Sequence, residues 1–197
     1  MTGQSKRPQA IDERKRVMAC APRSPYTHAC RPEPEKVVRQ RSGARRPDVL
    51  RTSSWLVDYP FAERLYPDAL GAVKHVQQWG TAVILSDGDA VFQPRKVEQS
   101  GLWHAFDNRV LIYVHKEQEL DDVERFYPAD HYVLIDDKLR ILAAVKKIWG
   151  ERVTTVFPKQ GHYAHDPKIL AEFPPADLEL AKIGDLITCD LSSRLLQ

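Results

Sequence analysis

Val133-Leu134-Ile135-Asp136-Asp137-Lys138 and, upstream, Val83-Ile84-Leu85-Ser86-Asp87-Gly88-Asp89 are short apolar runs that stop abruptly at acids or a hydroxyl. A parallel strand buried on both faces reads as such a continuous run. Where it ends, it delivers polar side chains to the carboxyl edge of the sheet, where open α/β folds bind ligands. With Lys116 between them, the two edges point to a site for a phosphate and a divalent cation. No third run of this type supplies a nucleophile.

Outward from these runs the pattern alternates. Leu70, Val73, Val76 and Trp79 recur at helical spacing, with Pro67 in the first turn and Gly80 as the stop. Thr81–Leu85 reads as a strand, and Pro94 opens a short helix to about Ser100. Arg109–Val114 is a second strand, Glu117–Tyr127 a helix and His131–Ile135 a third strand. Lys138–Trp149 is a helix ended by Gly150, and Arg152–Phe157 a fourth strand. Strands alternating with helices at this spacing predict βαβ units and a parallel sheet between two helical layers.

The chain has 197 residues and a net charge of +2. Residues 1–51 hold 13 Lys and Arg against 5 Asp and Glu, so the remainder is acidic. Residues 1–50, rich in Arg, Pro, Ser and Gln, lack hydrophobic periodicity and read as a disordered basic leader. Arg14-Lys15-Arg16 and Arg45-Arg46 could meet nucleic-acid phosphates, but Tyr26 is the only aromatic there for base stacking, which argues against nucleic acid as a partner. Residues 51–80 form a linking segment and helix, 81–165 the core, and 166–197 a weakly patterned tail. No run of about 18 apolar residues spans a membrane, and no secretory h-region opens the chain. Cys20, Cys30 and Cys189 show neither a disulfide framework nor zinc-ligand spacing, so a cytoplasmic setting is expected.

Single residues are ambiguous. Ser86, with the backbone N–H groups of the turn at Asp87 and Gly88, suits a phosphoryl oxygen, although Ser-Asp-Gly-Asp is also simply a good turn. Lys116 can neutralise a phosphate. Asp136 and Asp137 repel one another, which a hard cation such as Mg²⁺ relieves, or one of them caps the next helix. A calcium loop from Asp87 fails, because Phe92 stands where glycine is needed. His162 and His165 read as loop residues, and Trp103, His104 and Phe106 as packing residues.

Taken in order, Leu65-Tyr66-Pro67-Asp68-Ala69-Leu70, the helix ending at Trp79-Gly80, Ser86-Asp87-Gly88, Lys116 and Asp136-Asp137-Lys138 resemble the haloacid dehalogenase-like (HAD) hydrolase superfamily over residues 58–165. The loop Pro158-Lys159-Gln160-Gly161-His162-Tyr163-Ala164 looks like one of its subgroups. The resemblance implies a three-layer, Rossmann-like HAD core, with residues 51–80 partly a cap remnant. It implies phosphoryl binding at Ser86, charge support from Lys116, Mg²⁺ at Asp136 and Asp137, and a small phosphorylated substrate. In such enzymes an aspartate attacks phosphorus and the aspartyl-phosphate is then hydrolysed, with a second aspartate two residues later as acid and base.

That Asp-x-Asp motif is missing from residues 1–57. The nearest stretch, Ser54-Trp55-Leu56-Val57-Asp58, continues into Tyr59-Pro60. Asp87-Gly88-Asp89 has the right form but the context of the second motif; read as the first, it makes Asp87 the nucleophile and Asp89 the acid/base. The expected fold is therefore a HAD core missing its first strand, between the strands at 81–85 and 131–135. Residues 49–57 or a partner chain are expected to fill the gap, or the chain to be unstable. A truncated or mis-framed gene would explain it. The expected function is a Mg²⁺-dependent phosphate-monoester hydrolase, weakly active or inactive; the alternative is a non-catalytic remnant that binds phosphate or a protein.

Overall fold

The computed structural model describes residues 58–191 together with Trp55 and the backbone of residues 15–19. Six strands form one sheet: β1 (Lys15–Ala19), β2 (Thr81–Asp87), β3 (Val110–Tyr113), β4 (His131–Ile135), β5 (Val153–Pro158) and β6 (Leu178–Leu180). Their order is β3-β2-β1-β4-β5-β6, and each neighbouring pair is parallel. This is the doubly wound order, whose direction reverses beside β1 and opens a crevice at the carboxyl ends there.

The helices are α1 (Ala69–Val76), α2 (Phe92–Gln99), α3 (Leu102–Ala105), α4 (Leu120–Phe126), α5 (Leu139–Trp149) and α6 (Pro167–Glu172). Side chains alternate across the sheet because the strand period is two. Ala82, Ile84, Val133, Ile135 and Val156 face one core, with Ala72, Val73, Val76, Val97 and Phe106 from α1 to just past α3. Val83, Leu85, Tyr132, Leu134, Val153 and Phe157 face the other, with Val123 of α4 and Ile141, Leu142, Val145 and Trp149 of α5. Tyr132 stacks on Trp149, ring centroids 4.2 Å apart. The three-layer α/β architecture expected from the alternation is present.

Two expectations are corrected. The place between β2 and β4 is filled, not by residues 49–57 or by a partner, but by Lys15–Ala19. A five-residue strand is favoured there because both neighbours present unpaired backbone groups that would otherwise be buried. The expected disordered leader thus contains the central strand, and its remaining residues lie outside those described, as do residues 192–197 and most of 51–57. The chain after residue 165 also belongs to the sheet: β6 pairs with β5, and a 3₁₀ helix, Ile183–Thr188, packs on α1 through Leu186.

Boundaries move by up to three residues. The α1 helix begins at Ala69, after Asp68 in the left-handed region at φ 63°. The α2 helix begins at Phe92, because Asp89 Oδ1 accepts from Val91 N at 2.9 Å and Phe92 N at 2.8 Å. Lys116–Gln118 is a separate 3₁₀ turn ahead of α4. Gly150, at φ 56°, ends α5 as expected.

Candidate active site

The carboxyl ends of β2, β3 and β4 meet at the crevice beside β1. Ala19 is in register with Ile84 and Ile135, so β1 ends at the same edge as Ser86 and Asp136. Ser86, Lys116 and Asp136 are each at most 1% exposed. All three are buried at this edge: Lys116 and Asp136 pair directly, and Ser86 is held by Gln93.

Lys116 is carried there by the turn after β3. Its Nζ pairs with Asp136 Oδ2 and donates to the Leu85 carbonyl at 3.2 Å. The turn is anchored by Asp87, whose Oδ1 accepts the Lys116 backbone N–H at 3.1 Å. Asp87 Oδ2 accepts from Lys138 Nζ at 3.1 Å. Burial pushes the Asp87 carboxyl up, but the Lys116 N–H, the Lys116 charge and the Lys138 ammonium together hold it below the ordinary carboxylate value. Asp87 is therefore an ionised brace between β2, β3 and β4. Asp89 caps α2, which takes it out of the acid/base role of the Asp87-Gly88-Asp89 reading.

Ser86 Oγ accepts from Gln93 Nε2 at 2.6 Å. Gln93 lies across the turn so closely that a Cβ on Gly88 would come 2.7 Å from Gln93 Cβ. Gly88 is thus required by the side chain that orients Ser86. Gln93 and Lys138 are site residues that sequence reasoning did not single out. Lys138 alone had a signal, its adjacency to the acidic pair.

Asp136 and Asp137 part company, as neighbours leaving a strand do. Asp136 Oδ1 accepts the Lys138 N–H at 2.9 Å, so this acid holds the residue that leads into α5 as well as pairing with Lys116. Asp137 turns to the loop after β5, where a Cβ on Gly161 would lie 3.0 Å from Asp137 Oδ2 and 3.3 Å from the Tyr66 hydroxyl. Burial and the Asp137 charge raise the Tyr66 phenol, which stays neutral. A hollow of about 70 Å³ reaches both acids beneath Tyr66, Gln160 and Ile183. Such a volume suits a few waters or a small anion.

Magnesium prefers one or two carboxylates with open oxygens, its remaining ligands being water and substrate. Both Asp136 oxygens already hold a donor, and Asp137 lines the same hollow beside Gly161 and Tyr66. No cluster of three metal-ligating side chains occurs among the described residues.

Other candidates lie elsewhere. Trp55 is helical, and Asp58 is exposed in the segment where Trp55 and Tyr59 pack edge to face at 4.9 Å; neither belongs to a described strand. His162 is an exposed loop residue, and His165 is exposed at the end of the 3₁₀ turn Tyr163–His165. Phe106 is buried and Trp103 packs against the same core, whereas His104 is exposed. Among the described residues no helix is long and apolar enough to cross a membrane.

Among solved structures, a protein of Burkholderia xenovorans LB400 described as a haloacid dehalogenase-like hydrolase is 59% identical. The match covers 77% of this chain and 68% of that one, with a TM-score of 0.73. A haloacid dehalogenase-like family hydrolase from Xanthomonas campestris matches at 20% identity over 78% of this chain and 64% of its own, with a TM-score of 0.52. The L-2-haloacid dehalogenase from Xanthobacter autotrophicus matches at 14% over 73% and 66%, also at 0.52. The last two share the fold. The chain matches no protein-family model and no curated protein.

Proposed function

Because the chain belongs to the haloacid dehalogenase-like hydrolase family, we propose that its carboxyl edge is a phosphate-monoester site with weak or no turnover. The observation that carries this reading is that Ser86, at the end of β2, and the Lys116–Asp136 pair, just after β3 and β4, lie buried at one carboxyl edge. Ser86 accepts from Gln93 and donates only a long bond, 3.4 Å, to the Asp87 carbonyl, which a phosphoryl oxygen can replace, and Lys116 supplies the positive charge. The Gly88 N–H, expected to face a phosphoryl oxygen, donates instead to the Tyr113 carbonyl at 2.8 Å. In sequence β1 is followed by Cys20-Ala21-Pro22 rather than an acid. A carboxylate nucleophile directly after that strand is therefore lacking, which favours binding over chemistry.

The magnesium-dependent form of the activity needs a carboxylate oxygen open to the ion. Asp136 has both oxygens engaged, each with a lone pair left over, so an ion there would compete with the Lys116 ammonium and the Lys138 N–H. A small phosphorylated ligand is the partner this reading calls for, and a cytoplasmic setting accords with the scattered cysteines. With β1 in place, a second copy is not needed to complete the sheet.

The test pairs turnover with binding. Hydrolysis of p-nitrophenyl phosphate, with and without Mg²⁺, is expected to match that of Ser86→Ala, while orthophosphate raises the melting temperature of the unaltered chain only. Turnover well above the variant, or no stabilisation by phosphate, overturns the proposal.

The engagement of Asp136 also favours a second reading, dehalogenation of a small 2-haloacid, because that chemistry does not require a cation at the acidic pair. Halide release from 2-chloropropionate distinguishes it, and it meets the same lack of an acid after β1.

A further inference from the structure

Asp87, Asp136 and Asp137 leave two strand tips at one edge, where mutual repulsion calls for a counter-ion. Lys116 is spent on Asp136 at the floor of the cluster. The second lysine is placed differently. Lys138 stands at the N-cap of α5 with extended backbone, φ −117° and ψ 104°. A cation there opposes the helix dipole, and short polar side chains are the usual residents. Its side chain nevertheless folds over the edge to Asp87 Oδ2, and both partners are largely buried, at 15% and 12% exposure. Its own peptide N–H is the donor that holds Asp136 Oδ1. One residue thus grips acids on two strands, through its backbone and through its charge.

We propose that Lys138 is a built-in counter-cation, whose ammonium group does at this edge the neutralising work that a divalent ion would otherwise do. The acids are then held in place without metal, and Lys116 is fixed by way of Asp87. Against burial, which raises it, the Asp87 carboxyl is held below its ordinary value first by the Lys116 N–H and charge and then by the Lys138 ammonium group. The proposal concerns the charge of the cluster and stands whether or not a phosphate ester is bound or turned over.

Removing the ammonium group while keeping the peptide N–H leaves Asp87 and Asp136 with the single charge of Lys116. Lys138→Gln is therefore expected to gain stabilisation by Mg²⁺, about 3 °C or more at roughly 10 mM. The full-length unaltered chain and Lys138→Arg, which keeps a cation, are expected to show no shift. Equal stabilisation of the unaltered chain, or no gain in Lys138→Gln, overturns the proposal. If Lys138→Gln does not fold, the unaltered chain decides alone through the electron paramagnetic resonance signal of free Mn²⁺. An undiminished signal supports the built-in cation, and stoichiometric loss of signal overturns it. Neither readout involves substrate, so failure here is separable from failure of phosphate binding.

Discussion

The Lys116–Asp136 pair is fully buried, and a buried charge is tolerated only with its partner present. Asp136→Asn leaves the ammonium group unpaired and should cost about 3–5 kcal/mol by urea denaturation. Lys116→Met with Asp136→Asn should cost less than the two single changes added, because the second change removes the charge that the first stranded. Gly161→Ala tests the other side of the site. At φ +79° a side chain is strained by about 1–2 kcal/mol, and its Cβ would also press on Asp137 Oδ2 at 3.0 Å. A lower denaturation midpoint with an unchanged slope is expected. Ser86, Lys116 and Asp136 were legible in the sequence because each follows an apolar run that fixes where its backbone ends. The contacts of Gln93 and Lys138 were not, since a long polar side chain carries no pattern that says which way it turns. Lys138 meets Asp87 across 51 positions of sequence.

Among the elements, β2 and β4 announced themselves through unbroken apolar runs, and α5 through its one-sided periodicity. The sequence hides β1: Lys-Arg-Val-Met-Ala begins with two charges inside an Arg- and Pro-rich stretch, and its strand state comes from the neighbours it pairs with. The three-residue β6 is hidden for the same reason, and it hangs on a single acid. Asp177 Oδ2 accepts from Thr155 N and Thr155 Oγ, both at 2.8 Å, and from Lys146 Nζ at 3.1 Å. Burial pushes this carboxyl up, but those three donors bring it below its ordinary value of 3.8. A group depressed on folding contributes stability that is complete above its unfolded value and lost as pH falls through the folded one. The amides of β5 and β6 should therefore exchange faster as the pH drops below about 4, relative to those of β2 and β4. In Asp177→Asn that contrast should vanish, exchange at this edge being already fast at neutral pH.

At the scale of the whole molecule, the site depends on segments far from it. The crevice exists because the sheet winds outward on both sides of β1, and each helical layer buries one face of every central strand. The layer holding α1 is closed from outside by the last described stretch of chain: Leu186 and Leu191 are at most 1% exposed, in the same core cluster as Ala72, Val73 and Ile84. Gln160, in the loop beside Asp137, accepts the Ile183 N–H at 2.6 Å, which joins that closing segment to the rim of the site. Loss of the segment should thus be felt both as stability and at the site. Leu186→Ala should cost about 2–5 kcal/mol. Ending the chain at residue 177 uncovers α1 and one edge of β5 together, and should abolish a cooperative melting transition. Gln160→Ala separates the two effects: it removes the tether while leaving the buried leucines. It should lower stability by about 1 kcal/mol and weaken phosphate stabilisation of the melt by more than that loss explains. An unchanged phosphate response in Gln160→Ala would mean that the closing segment supports the core alone and has no part in shaping the site.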